Sequence, residues 1–421
     1  MKVLISGAGV AGNALAFWLS KIDYCEVTVV ERFPALRTTG LQIDLRGAGI
    51  DVLRRMGLEE AFRARAAPEV GMQVVDRSGK RRAYFPANKS GKGAQSFTSE
   101  FEIMRGDLCR LMYDATGRDR TNYVFGTSVD SLEEQDDGSV EARFANGETG
   151  RFDLVVGADG VGSRVRKLLL GCRDDEKDPS FHPRGDSYIA YFTARRPMDE
   201  GEEYIASVYV ATAHRVILTR RHSPSEVQVY LLCETGSERM RNARRGDVEE
   251  EKAALAEIFR GAGWRGDEIL DAMRDATDFY CQRQGLVKMD SWSHGCVTLL
   301  GDAGYCPSVN GFGTSAAVIG AYILAGEIAR HCSGAGGGDA DLKGLPAALA
   351  AYEQRLRPFM DKMQRDVEGE KNMMPSSQLG ISILNALVGA AAFLKLHVLA
   401  MKFWHPEKGL EAPDYEDVLR V

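Results

Sequence analysis

The sequence predicts an α/β protein: a parallel sheet covered by helices, a second β-sheet inserted into it, and a helical C-terminal region. Three observations carry that prediction. A strand, a glycine turn, a helix and a second strand follow one another within the first 31 residues. Long β-rich runs between Ser187 and Cys233 interrupt this alternation, and a short apolar strand at Val297–Leu300 resumes it before further helix.

In chain order, Lys2–Ser6 is a short apolar strand, Gly7–Gly12 a tight turn, and Asn13–Ser20 a helix with Leu15, Ala16 and Leu19 on its apolar side. Glu26–Val30 is the next strand, and the resulting βαβ unit sets up a parallel sheet. Ser128–Leu132 and Val140–Phe144 bracket a turn at Asp136-Asp137-Gly138, and Asn146-Gly147 makes another, which reads as a β-meander. Leu154–Val156 is a buried strand. The runs SYIAYFTARR, ASVYVATAHRVILTRR and EVQVYLLCE partly alternate apolar with polar residues, as antiparallel strands exposed on one face do. A sheet of this kind inserted between pieces of an α/β domain suggests a roof over a cavity. Ala316–Arg330 is helical, Ser333–Asp339 a Gly-rich connection, and the remainder mainly helical.

At 421 residues the chain exceeds one compact core, and 44% apolar with 27% charged residues describes an ordinary globular protein. A net charge of −7 offers no long-range attraction to nucleic acid, which favours small-molecule chemistry. The eight scattered cysteines form no CxxC pair and no zinc spacing, so buried free thiols and no metal are expected. The N-terminus enters a strand without the features of a signal peptide, so a cytoplasmic location is expected. The apolar stretch 381–404 is broken by Lys395, His397 and Lys402, which favours a helix packed on the protein over a membrane span.

Gly7-Ala8-Gly9-Val10-Ala11-Gly12 satisfies GxGxxG between a strand and a helix, and the following strand ends in Glu31, the context a dinucleotide site requires. Gly7 permits the turn, Gly9 lets a pyrophosphate approach the backbone, and Gly12 lets helix and sheet pack closely. The pyrophosphate would meet unpaired N–H groups at the positive helix end, and Glu31 would accept hydrogen bonds from the adenosine ribose. Two later segments complete the pattern. Asp159-Gly160 follows the apolar strand Leu154–Val156, with Ser163 and Arg166 one helical turn apart. Gly301-Asp302 ends a strand and leads through Pro307 to Gly311-Phe312-Gly313.

With GxGxxG, DG and GD motifs in this order, the sequence resembles the group A flavoprotein monooxygenases, the family of para-hydroxybenzoate hydroxylase and the tetracycline-inactivating monooxygenases. The resemblance runs from about Met1 to Glu327. It implies a Rossmann-type FAD-binding domain built from residues 1–72, 101–178 and 282–330, with 73–100 and 179–281 as the substrate domain and 345–421 as a C-terminal helical region. By the same resemblance Glu31 and Arg32 close around the adenosine, and Arg105 contacts the phosphate and ribityl region. Asp302 binds the ribityl chain, while Pro307, Gly311 and Gly313 line the isoalloxazine. Asp159 serves both FAD and the nicotinamide coenzyme by positioning backbone. Asp44 and Arg46 lie in a loop beside the flavin and Arg37 is a candidate for NADPH contact, with plain surface charge as the alternative for Arg37 and Arg46. Tyr305 and Val309 depart from the family's usual His and second Pro.

The resemblance further implies that NADPH, or NADH, binds transiently and reduces FAD, that dioxygen then forms a flavin C4a-hydroperoxide, and that an aromatic or polycyclic substrate is hydroxylated. Tyr191 and Arg215 are the candidate substrate contacts, a core tyrosine and a surface arginine being the alternatives. No catalytic acid or base is named, since His182, His214, His222 and His294 form no triad. A dehydrogenase or reductase, and a non-catalytic flavin-binding sensor, remain as alternative readings. Halogenation is disfavoured because no WxWxIP stretch surrounds Trp18, Trp264, Trp292 or Trp404. The assembly is read as a monomer or homodimer.

Overall fold

A computed structural model describes residues 1–37, 40–88, 100–173, 176–308, 311–334, 339–369, 374–396 and 411–419. Val309, His397, Lys402 and Trp404, noted above, lie outside these residues. β1 (Lys2–Ser6), α1 (Val10–Leu19) and β2 (Glu26–Glu31) form the expected opening unit, and the helix begins within the glycine motif itself. β3 (Gln42–Asp44), α2 (Ala48–Arg55), α3 (Glu59–Arg63), β4 (Gly71–Val75) and β5 (Arg81–Pro86) follow. Next come β6 (Glu102–Met104), α4 (Arg105–Ala115) and β7 (Thr121–Phe125). The meander is β8 (Val129–Glu134), β9 (Val140–Phe144) and β10 (Thr149–Phe152), after which β11 (Leu154–Gly157) and α5 (Arg164–Leu169) return to the first layer.

That layer is a six-stranded sheet, completed by β17 and β18 below, in which β1 pairs in parallel with both β2 and β11, and β2 with β7. Its strands are apolar on both sides because both sides are covered. Val3 and Ile5 pack toward α1, α4 and the later helices, while Leu4, one residue out of step, packs with Val140, Phe144 and Val165 of the meander and α5.

The inserted sheet contains β12 (Phe181–Arg195), β13 (Ile205–Ala211), β14 (Arg215–Arg221) and β15 (Glu226–Glu234). After α6 (Glu238–Asn242), α7 (Val248–Phe259) and α8 (Gly266–Asp275), β16 (Tyr280–Val287) rejoins it. Its order is β16-β12-β15-β14-β13-β4-β5, antiparallel except for the β4–β13 pair. The expectation that one face of these strands lies open is corrected here. Tyr188, Ala190 and Phe192 of β12 and Val229, Leu231 and Cys233 of β15 pack under Leu255, Phe259, Leu270 and Met273, so helices bury the outer face. The partial alternation arises because the inner face also carries buried polar groups, not because it meets water.

β17 (Ser293–His294) and β18 (Val297–Leu299) complete the first sheet, and α9 (Asp302–Tyr305) and α10 (Gly313–His331) carry the GD segment. α11 (Leu345–Gly369) packs along α10, with Tyr352 and Leu356 in the main core. α12 (Gln378–Phe393) rests Ile381 on Val210 and Val216 of the inserted sheet, while Leu379, Ile383 and Leu387 stay exposed. Among the described residues no helix is long and apolar enough to cross a membrane.

Candidate active site

The glycine turn is shaped by backbone contacts. Gly7 has φ 108°, and a Cβ there would sit 2.7 Å from the Ala158 carbonyl oxygen; one on Gly12 would sit 1.9 Å from the Gly7 oxygen. Around Gly9 the only near neighbour among the described residues is the Arg105 guanidinium, 3.5 Å from a virtual Cβ. The first turn of α1 carries no acidic side chain and no side-chain cap, so its N–H groups are free to meet an anion. The Glu31 carboxylate accepts from the N–H of Ala8 (2.9 Å) and of Phe33 (3.1 Å), which ties the end of β2 to the turn, and Arg32 lies over the Phe33 ring. Asn13, which the sequence reading did not single out, donates to the carbonyls of Ala8 (2.6 Å) and Gly9 (3.0 Å) and braces the loop. Its only sequence signal is an amide one helical turn after the glycines.

Arg105 opens α4, held by its N–H to the Leu41 carbonyl at 2.8 Å, and its stem runs along Gly40. Its charge is felt at Asp302 and at Arg37. Arg37 lies over the rings of Phe33 (5.3 Å) and Tyr280 (5.7 Å), and burial followed by the charge of Arg105 lowers its pKa. Asp44 and Arg46 form an ion pair, while the Arg46 N–H donates to Ser315 Oγ (2.8 Å) and its guanidinium lies over Phe312 (5.9 Å). This loop therefore touches the GD segment.

Asp159 is half-buried and accepts from the N–H groups of Arg164 (2.8 Å) and Val165 (3.2 Å) and from the Ser163 hydroxyl, so it organises the start of α5. Burial pushes its pKa up. Arg166, noted above only for its spacing, is fully buried and donates to Asp178 (2.9 Å), to the Val161 carbonyl (2.6 Å) and to the Ala303 carbonyl (2.7 Å). It thereby ties the DG turn to the GD helix. Burial likewise raises the pKa of Asp302, against the charges of Arg105 and Arg166 and a hydrogen bond with Cys306. The Asp302 carboxylate lies 3.7 Å from a virtual Cβ on Gly313, and Gly311, at φ 80°, sits beside Arg46. Pro307 follows directly in the described part of the loop.

Side-chain parity decides what the inserted sheet contributes. Tyr191 of β12 faces inward, 5.4 Å from Tyr230 and stacked 6.4 Å from Tyr280, and within electrostatic reach of Asp302. Burial pushes its hydroxyl pKa up, and that of Tyr230 up to about 12. Tyr230 and Tyr280 were missed because a tyrosine in a β-rich run carries no local mark of its face. Arg215 is corrected: it lies on the outward parity shared with Ile217, and donates to the carbonyls of Thr212 (2.9 Å), Ile258 (2.9 Å) and Arg260 (3.2 Å) at the end of α7. It does not join the cluster. Tyr305 is a core residue, packed on Trp292 at 4.5 Å with its hydroxyl 3.3 Å from that of Tyr352. His214 bonds the Met374 carbonyl (2.9 Å), and burial lowers the pKa of His222.

These residues fit a flavin dinucleotide: a glycine turn at an uncapped helix start, an arginine beside it, and a half-buried carboxyl group at the far end. The profile of a family described as an FAD binding domain matches residues 1–366. The FAD-dependent monooxygenase asL4 of Sarocladium schorii is 45% identical over 438 aligned residues, covering 100% of this chain and 99% of that protein. The chain belongs to the FAD-dependent monooxygenases. A second member of this monooxygenase family, the flavin-dependent monooxygenase eupH of a Phoma species, is 39% identical, with 93% and 92% covered. The crystal structure of tetracycline destructase Tet(55) superposes with a TM-score of 0.75 at 27% identity over 98% of both chains. The monooxygenase fold and the three-motif order thus agree.

Proposed function

We propose that this monooxygenase hydroxylates an aromatic or polycyclic small molecule using NADPH, with NADH as the alternative donor. The observation that carries the reading is the cluster of Tyr191, Tyr230 and Tyr280 on the inner face of the inserted sheet, adjoining Asp302. Flat π-faces suit a ring-bearing substrate, and the likeness to a tetracycline destructase favours a polycyclic one.

Bound FAD supplies the redox chemistry, carrying two electrons from the coenzyme to dioxygen so that one oxygen atom enters the substrate and the other leaves as water. The chain's residues hold and shield. The turn Gly7, Gly9 and Gly12, through the N–H groups at the start of α1, takes the phosphates with Arg105, and Glu31 and Arg32 take the adenosine. Asp302 takes the ribityl hydroxyls. Pro307, Gly311 and Gly313 border the ring system beside Asp44 and Arg46, Arg37 meets the coenzyme, and Asp159 sets the backbone between them. Tyr191 stacks on or hydrogen-bonds the substrate. Residues 1–72, 101–178 and 282–330 act as the FAD-binding domain, 73–100 and 179–281 as the substrate domain that excludes water, and 345–421 as a C-terminal region bracing both.

A panel of phenolic and polyketide compounds tests this. Productive substrates are expected to accelerate NADPH oxidation and to acquire one oxygen-18 atom from labelled dioxygen. Acceleration without labelled product would instead identify the compound as an effector or uncoupler.

A further inference from the structure

One face of α12 is buried and the other meets no partner among the described residues. Ile381 and Leu384 lean on Val208, Val210, Val216 and Leu232 of the inserted sheet. On the opposite side Leu379, Ile383, Leu387, Phe393 and Leu394 are 73%, 53%, 64%, 86% and 62% exposed. With about 3.6 residues per turn, these five side chains share one stripe with the exposed Ser382, Ala386 and Ala390. No acidic or basic residue occurs from Met374 to Leu394, so the stripe carries no charge. The five large side chains present roughly 600 Å² of apolar surface, the upper end of what a monomer leaves in water and close to the roughly 800 Å² that each partner of a stable dimer buries.

The order of large and small residues on this stripe is self-complementary. Let two copies of α12 lie antiparallel about a two-fold axis that passes between Ala386 and Leu387. Ile383 of one copy then meets Ala390 of the other, Leu387 meets Ala386, and Leu379 meets Leu394. Each large side chain at the centre has a small one opposite, which lets the helix axes approach closely and the side chains interdigitate. A lipid surface matches the stripe less well. A helix that lies on an anionic bilayer carries basic residues beside its apolar face, whereas α12 has none before Lys395 and the chain as a whole carries −7.

We propose that the exposed face of α12 is the interface of a homodimer, in which Ala386 and Ala390 of each copy receive Leu387 and Ile383 of the other. Leu232, under α12, and Tyr230 share the inward parity of β15, so pairing also clamps this helix over the sheet face that bears the tyrosine cluster.

Sedimentation equilibrium of the FAD-loaded full chain at micromolar concentration, without detergent, tests the proposal. The expected species has twice the mass of one chain. Ile383→Glu and Leu387→Glu are each expected to weaken it about tenfold or more with FAD content intact, because each would bury an unpaired charge at the interface and neither side chain is buried within one chain. Ala390→Leu separates a fitted interface from indiscriminate stickiness: it adds apolar surface yet fills the space that receives Ile383, so it too is expected to weaken the dimer about tenfold. A monomeric parent chain would overturn the proposal, whether flotation shows the face taken up by phosphatidylserine vesicles or residues 397–410 of the same chain cover it. A dimer that survives Leu387→Glu, or one tightened by Ala390→Leu, would overturn it equally.

Discussion

At the scale of single residues, the site depends on what is missing at Gly9 and on the carboxyl group of Asp302. A side chain on Gly9 would occupy the space between the turn and the Arg105 guanidinium, so Gly9→Val is expected to lower FAD affinity on the order of a hundredfold, about 2.7 kcal/mol, in a flavin-fluorescence titration. Asp302 makes a pH-dependent contribution whose sign follows from its raised pKa. The folded, flavin-free protein holds this proton more tightly than the unfolded chain, so the contribution of Asp302 to stability is greatest at low pH and falls as pH rises from the unfolded carboxylate value through the folded one. Asp302→Asn is expected to flatten that fall in melting temperature measured across pH 4 to 8, while weakening FAD retention about tenfold through the lost carboxyl contact with the ribityl hydroxyls. An unchanged slope would show that Asp302 is not the group responsible. Asp302 and the glycines were legible in the sequence because each marks a strand end, where turn chemistry is local. Tyr230 and Asn13 were not, because only their neighbours in space give them a role.

Arg166 joins two elements that are 137 residues apart at its contact with Ala303. Its guanidinium satisfies a carboxylate and two carbonyls in a wholly buried position, and its loss leaves them unpaired. Arg166→Met, similar in length, is expected to cost about 3 kcal/mol in denaturant unfolding and to loosen FAD by displacing α9; stability within about 0.5 kcal/mol of the parent would remove this tie from the account. Element type was largely readable. The opening βαβ unit, the meander and α10 follow from apolar periodicity and turn residues, although α1 starts three residues earlier than the pattern suggested, since the glycine motif itself forms its first turn. The covering of the inserted sheet by α7 and α8 was not readable from the strands, whose outward residues would pack as well on a second sheet.

Across the whole molecule, polar contacts help to join the inserted sheet to the flavin-binding layer. Gln228 of β15 donates to the Gly40 carbonyl (2.8 Å) and accepts from the Gln42 N–H (2.9 Å), and Arg220 of β14 reaches Glu102 of β6 at 2.9 Å. These bonds hold the roof against the loop that carries Asp44 and Arg46. Gln228→Ala is expected to leave FAD bound but raise the share of NADPH oxidation that yields hydrogen peroxide instead of hydroxylated product, by about threefold or more, because a looser roof admits water. An unchanged peroxide fraction would show that closure rests elsewhere.

The sequence alone determined the order of strands and helices in the flavin-binding layer, the three turns that carry Gly9, Asp159 and Asp302, and the class of cofactor they suit. All of these follow from residues close along the chain, where sterics and periodicity act. Tertiary structure alone decided that Tyr191 faces inward and Arg215 outward, and that Arg166 bridges two motifs. Each depends on strand register and on which distant surface is buried. A shift of one residue in pairing would have exchanged the two faces without altering any local pattern.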